Sequence, residues 1–155
     1  MSGGDDFEIG PGDPRAAGAS ALLRHSQALM RGLFAPEDDF SLDMAALCRP
    51  DIRFFVATRD AKTVGIAALA LRDGHGEVKA MFVDTAARGQ GVAEALLRRI
   101  EAEARAQALP CLRLETGDSL SPALRLYTRH GFMRRGPFGG YPDAVRSVFM
   151  EKPLG

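Results

Sequence analysis

Between Ile52 and Val83 the chain reverses twice, each time within a few residues. Ile52–Thr58 reads as a strand, Val64–Leu71 (VGIAALAL) is apolar on both faces like a central strand, and Glu77–Val83 (EVKAMFV) is a third strand. Asp60-Ala61-Lys62 and Asp73-Gly74-His75-Gly76 read as tight turns, so the three runs form an antiparallel meander. A helical run follows from near Gly91 to about Leu109, stopped by Pro110, with Val92, Leu96, Ile100, Ala104 and Ala108 on one apolar stripe. Glu94–Arg98 and Glu101–Arg105 support it as i,i+4 pairs. Cys111–Glu115 is then a strand reached by a helical crossover, hence parallel to its predecessor. Such an order predicts an α+β fold with a mixed, mostly antiparallel central sheet flanked by helices.

The flanks fit one domain over residues 7–155, after a frayed segment 1–6. Phe7–Ile9 suits a short edge strand and Arg15–Leu33 an amphipathic helix. Residues 35–40 read as a loop, and Ser41 as the cap of a short helix through Leu47. Pro122 opens a helix through Arg129, Gly131 ends it, and 132–135 and 147–150 are late strands.

Composition narrows the partners. With 155 residues, 46% of them hydrophobic, the chain can bury a core. Its 20 basic and 20 acidic residues cancel, which argues against a dedicated nucleic-acid binder. Two cysteines, Cys48 and Cys111, show no metal-ligand spacing; Cys111 opens an apolar run and reads as a buried thiol in a reducing, cytoplasmic setting. The N-terminus lacks the basic and apolar regions of a secretory signal, and no apolar run is long enough to span a membrane.

The junction Val83-Asp84-Thr85-Ala86-Ala87-Arg88-Gly89-Gln90-Gly91-Val92-Ala93 carries the chemistry. A helix N-terminus leaves backbone N–H groups unpaired and concentrates roughly half a positive charge. Glycines admit an oxygen to those groups without a Cβ in the way, and Arg88 adds a permanent cation. The stretch therefore reads as an anion site, most naturally for a pyrophosphate. A dinucleotide fingerprint would need a third glycine, and a nucleotide-phosphate loop would need Gly-Lys-Ser/Thr; both are absent, and antiparallel strands precede the loop.

Arg88-Gly89-Gln90-Gly91-Val92-Ala93 resembles the acyl-CoA loop Q/R-x-x-G-x-G/A of the GNAT N-acetyltransferase superfamily. Ala123-Leu124-Arg125-Leu126-Tyr127-Thr128-Arg129-His130-Gly131-Phe132 is similar to that family's A-x-x-L-Y-x-x-x-G-F, on the helix after the fifth strand. The tail from Tyr141-Pro142 to Pro153 resembles a group of bacterial members. The resemblance covers residues 50–153 by motif and implies transfer of an acetyl group from acetyl-CoA to a primary amine by direct attack, without a metal. It implies that pantetheine lies along Met81, Phe82 and Val83, with the oxyanion held by a backbone N–H near Phe82 or Val83. The pyrophosphate would sit on Arg88, Gly89, Gln90, Gly91, Val92 and Ala93. Tyr127 matches the tyrosine that protonates the departing thiolate, and Glu77 the glutamate base, with Glu115 as second choice. Otherwise Tyr127 is a packing residue and Glu77 a solvated strand-end charge paired with Lys79 or Arg72.

An asparagine common in the family is replaced here by the region Asp118–Pro122, where Ser119 or Ser121 offers a hydroxyl to CoA; Ser121 reads equally as a helix cap. Acceptor contacts would come from among Arg24, His25, Phe34, Asp39, Phe40 and Tyr141, while His75 reads as a surface turn residue and His130 as a helix-end cap. The acceptor itself is left open. A homodimer through the late strands is compatible with an exposed sheet edge. A CoA-sensing module without catalysis is the alternative function.

Overall fold

A computed structural model describes residues 7–33, 43–118 and 120–155. The elements are β1 (Glu8–Pro11), α1 (Ala17–Leu33), α2 (Met44–Leu47), β2 (Ile52–Arg59), β3 (Lys62–Arg72), β4 (His75–Val83), α3 (Val92–Ala106), β5 (Cys111–Gly117), α4 (Ser121–Arg129), β6 (Met133–Arg135) and β7 (Ser147–Pro153). The strands form one sheet in the order β1-β2-β3-β4-β5-β7-β6. The hairpins β2–β3 and β3–β4 are antiparallel, and β5 joins β4 in parallel after the α3 crossover. This is the expected α+β architecture.

Helices cover both faces. On one, Val92, Leu96, Leu97, Ile100 and Ala104 of α3 pack with Leu69, Val78, Leu112 and Leu114 of the sheet, joined by Leu126 and Tyr127 of α4. On the other, Ala19, Leu22 and Leu23 of α1 meet Phe54, Ile66 and Ala68. Because β3 is covered on both sides, its run from Val64 to Ala70 is buried throughout. Gly65 lets α3 approach closely, since a Cβ there would lie 2.8 Å from Val92 Cγ1.

The boundaries differ from the sequence reading in several places. The β3–β4 turn is only Asp73 and Gly74, so β4 begins at His75. His75 is accordingly not a surface residue but 8% exposed, its ring 5.5 Å from that of Phe138 in an edge contact. α1 starts at Ala17, and α3 ends at Ala106 before Ala108 turns left-handed at φ 59°. Asp43 caps α2 by accepting from the Ala46 N–H at 2.8 Å. The cap assigned to Ser41, like the readings of 1–6, Phe34, Asp39, Phe40 and Ser119, lies outside the described residues. Ser121 is the first residue of α4 rather than its cap; Leu120 holds the cap position without a side-chain bond.

One irregularity shapes the centre. Ile66 pairs with Phe82 but Ala68 with Lys79, so β4 holds one extra residue there, and Ala80 sits at φ 57°. The bulge resets the alternation of β4. Val78, Met81 and Val83 face the α3 side, while Ala80 and Phe82 face the α1 side. An unbroken strand would have sent Met81 and Val83 the other way.

Candidate active site

β4 and β5 pair only at Gly76–Leu112 and Glu77–Arg113. Beyond these pairs the strands part, and β5 continues on β7 alone through Gly117–Ser147. Main-chain groups of β4 on that side are therefore available to a guest. The gap is a cleft of ≈ 470 Å³ that passes through the sheet. Its walls come from β4 and β5, from α3 and α4 on one face, and from Ser26, Leu29 and Met30 of α1 on the other.

The predicted pyrophosphate loop stands at the mouth of this cleft. After Val83 a single 3-10 turn, Thr85–Ala87, leads to Gly89 at φ 75° and Gly91 at φ 85°. Both glycines are left-handed, a region that favours residues lacking a Cβ. Gly91 is the N-cap of α3, and space above both glycines is open, with nothing within 4 Å of where a Cβ would stand. The first N–H groups of α3 thus face the cleft with no intrahelical acceptor. Arg88 is exposed; its Nε lies 3.4 Å from the Val83 carbonyl and its guanidinium 5.7 Å from the centre of the Phe82 ring. With a helix N-terminus and Arg88 at one end and the β4 strand along its wall, the cleft suits a CoA thioester.

Of the residues singled out from sequence, Met81, Phe82, Val83, Arg88, Gly89, Gly91, Val92, Ala93 and Tyr127 line the cleft. Gln90, Ser121 and Glu77 are not among the lining residues. The Gln90 side chain turns back to accept from Arg59 Nη1 at 2.5 Å, which fixes the loop from behind. Tyr127 is 5% exposed and packs edge-on against Phe132, ring centres 5.5 Å apart. Burial pushes its phenol above the ordinary tyrosine value, so it stays protonated near neutral pH.

Glu77 is 4% exposed and lies within a polar cluster on the α1 side of the sheet, so it is no solvated strand-end charge. Its carboxylate accepts from Arg72 Nε at 3.4 Å and, in a short bond, from the Tyr141 hydroxyl. Lys79 Nζ lies 3.6 Å from the same carboxylate and donates to Tyr141 at 2.7 Å. Glu115 lines the cleft and accepts from the Ser147 hydroxyl at 2.8 Å. Of the other acceptor candidates, Arg24 and His25 are exposed on α1, and Arg24 donates to Ser20.

The sequence reading took Lys79 only as an ion-pair partner of Glu77, not as a residue of the cleft, and missed the α1 residues that line it. Lys79 had a legible signal: a lysine two places after Glu77 shares its strand face. Leu29 and Met30 had only the helix stripe, which does not say where a helix ends up over a sheet.

A family model described as an acetyltransferase (GNAT) domain matches residues 50–134, more than half of the chain. The chain belongs to the GNAT acetyltransferase family. It is 45% identical over 135 residues to an IAA acetyltransferase of Azospirillum brasilense, covering 86% of this chain and 88% of that one. It is also similar to a crystal structure from Klebsiella pneumoniae described as an acyl-CoA N-acyltransferase, with 34% identity, TM-score 0.81, and 96% and 98% of the two chains covered. The fold recurs at TM-score 0.73 and 17% identity in the PaiA N-acetyltransferase of Thermoplasma acidophilum, solved in complex with coenzyme A, with 99% of both chains covered. The protein is thus an acetyl-CoA-dependent N-acetyltransferase. Among the described residues no cluster of three His, Cys, Asp or Glu side chains could hold a metal ion, and no helix is long and apolar enough to cross a membrane.

Proposed function

We propose that this GNAT enzyme acetylates a primary amine that enters from the α1 side of the cleft, while acetyl-CoA lies between α3 and α4. The observation that carries this reading is the parting of β4 from β5 directly below the two left-handed glycines. In this arrangement the N–H groups of residues 88–93 and the Arg88 guanidinium hold the pyrophosphate. The β4 backbone from Met81 to Val83 holds the pantetheine amides, and an N–H near Phe82 or Val83 polarises the thioester carbonyl. The acceptor nitrogen attacks that carbonyl directly. Tyr127, buried and protonated, gives its proton to the leaving thiolate. The carboxylates of the β4–β5 region, Glu77 and Glu115, serve to remove the acceptor's proton. Cys48 and Cys111 are both free thiols, which supports a cytoplasmic setting.

The test is acetyl-CoA with a panel of alkyl, aryl and amino-acid primary amines, following free thiol and confirming the acetylated product by mass. Amine-dependent thiol release supports the reading. Thiol release at the same rate with and without every amine contradicts it.

A further inference from the structure

Glu77 presents a difficulty that the geometry itself resolves. It is the carboxylate expected to take the acceptor's proton, yet it stands behind the cleft wall rather than on it. Lys79, two residues on and on the same face, does line the cleft. Tyr141 reaches in from the β6–β7 connection, 64 residues away in sequence, and places its hydroxyl on both. We propose that Lys79, Tyr141 and Glu77 form a proton relay, through which the acceptor's proton passes from the cleft into the sheet.

The two hydrogen bonds run in series: Lys79 Nζ donates to Tyr141 at 2.7 Å, and Tyr141 donates to Glu77 Oε2. Lys79 and Glu77 also form a direct ion pair at 3.6 Å, and the shorter bonds through the hydroxyl add a donor-to-acceptor path beside it. Lys79 and Glu77 are 8% and 4% exposed, so bulk water offers a poor route for a proton. At rest the chain reads Lys79–NH3⁺, Tyr141–OH, Glu77–COO⁻. One proton moves from Lys79 to the Tyr141 oxygen as the Tyr141 proton moves to Glu77. The result is Lys79–NH2, Tyr141–OH and Glu77–COOH, with no change in net charge. Neutral Lys79 then takes a proton from the acceptor ammonium, leaving a free amine to attack. The second proton, shed by nitrogen after attack, goes to the Tyr127 phenolate left when Tyr127 protonates the CoA thiolate, so Tyr127 ends as it began. After product leaves, Lys79 gives a proton to water entering the open cleft, and the Glu77 proton returns through Tyr141 to Lys79, which restores the resting state.

The surroundings favour the exchange. Burial lowers the Lys79 pKa, although Glu77 and then Glu115 oppose that shift and Arg72 adds to it. Burial, the hydrogen bond to Glu77 and the charges of Glu77 and Glu115 raise the Tyr141 phenol, so it passes protons without ionising. Arg72 from β3, 3.2 Å from Asp51 and 3.4 Å from Glu77, offsets the Glu77 charge at rest, and its own charge helps Lys79 release a proton. Phe138 and Phe149 pack edge-on against the Tyr141 ring, at 5.3 and 5.7 Å, and hold it in place. Lys79 is the catalytic group of the three; Tyr141 is a positioning and relaying residue, and Glu77 the store.

The inference rests on the acetyl-transfer reading, and its test separates the two. Tyr141→Phe, Glu77→Gln and the double variant are compared with wild type across about pH 6.5–9.5, on the panel amine that wild type acetylates fastest. Each single change should lower kcat by about 100-fold near pH 7, the lower range for general base catalysis. The deficit should close as pH approaches the amine's own pKa, the KM for acetyl-CoA should stay within about twofold, and the double variant should be no slower than the slower single, as for groups acting as a unit. A second arm needs no acceptor: by NMR of the lysine side-chain nitrogens, Glu77→Gln should lower the pKa of Lys79. A deficit equal at all pH values, a multiplicative double variant, or an unmoved Lys79 titration overturns the relay while leaving acetyl transfer standing. Failure of wild type to transfer acetyl to any amine overturns both.

Discussion

Replacing Gly91 by alanine separates what the loop does for the fold from what it does for the ligand. In the free protein a methyl group at Gly91 meets nothing within 4 Å, so the whole penalty is backbone strain at φ 85°. Placing an L-residue in the left-handed region costs roughly 1–2 kcal/mol. With an unfolding entropy of about 2.1 cal/mol/K per residue, a chain of 155 residues should lose about 3–6 °C in Tm. Gly74, at φ 81° in the β3–β4 turn and likewise with nothing within 4 Å, is a matched control away from the loop. Gly74→Ala should show the same loss of Tm. The ligand tells them apart, because a Cβ at Gly91 would stand where a phosphate oxygen meets the helix N-terminus. Calorimetric titration with CoA should show Kd raised about tenfold or more in Gly91→Ala, equivalent to about 1.4 kcal/mol, and unchanged in Gly74→Ala. Equal CoA affinity in Gly91→Ala and wild type, or equal weakening in both variants, would refute the anion-site reasoning.

Three further outcomes follow from other parts of the structure. Tyr127→Phe should reduce kcat by about 100-fold while leaving the Kd for CoA within about twofold, measured by thiol release and calorimetry; an unchanged kcat assigns Tyr127 to packing alone. His75 has its pKa lowered from 6.5, first by burial and then by Arg113, so the unfolded chain takes up a proton before the folded one does. Its contribution to stability is therefore full above 6.5 and is lost as pH falls toward the folded pKa, and His75→Gln should flatten the decline of Tm with acidification in that window. Leu96, fully buried where α3 crosses the sheet, should cost about 3 kcal/mol as Leu96→Ala, a drop in Tm on the order of 9 °C by thermal melting.

Much of this was legible in the sequence for a local reason. Asp60 and Ala61 sit at φ 51° and 63°, and Gly74 at 81°, so each hairpin is made by two residues whose neighbours alternate or run apolar. The loop 88–93 was legible because glycines at a strand-to-helix junction have few other uses. The bulge at Ala80 was not, because alanine carries no signal for a positive φ; the strain is held by β3 and the packing around it. The parting of β4 from β5 could be expected only through resemblance, since strand pairing depends on both neighbours at once. The surroundings of Glu77 were partly readable. Arg72 and Lys79 are near in sequence, but Tyr141 arrives from a distant loop and turns an ion pair into a three-member chain. His75 was misplaced because a histidine beside Gly74 reads as turn, whereas Phe138 folds back over it.

The central claim is that the split sheet and the glycine loop together seat acetyl-CoA. The most direct measurement is thermal stability with acetyl-CoA, CoA, ATP and NAD, each tested at saturating concentration. Acetyl-CoA at about 100 times its Kd should add about 2.7 kcal/mol, an upward shift on the order of 8 °C, with CoA behaving alike and ATP and NAD giving little. No shift with acetyl-CoA, or a shift with ATP or NAD of the same size, would contradict the account.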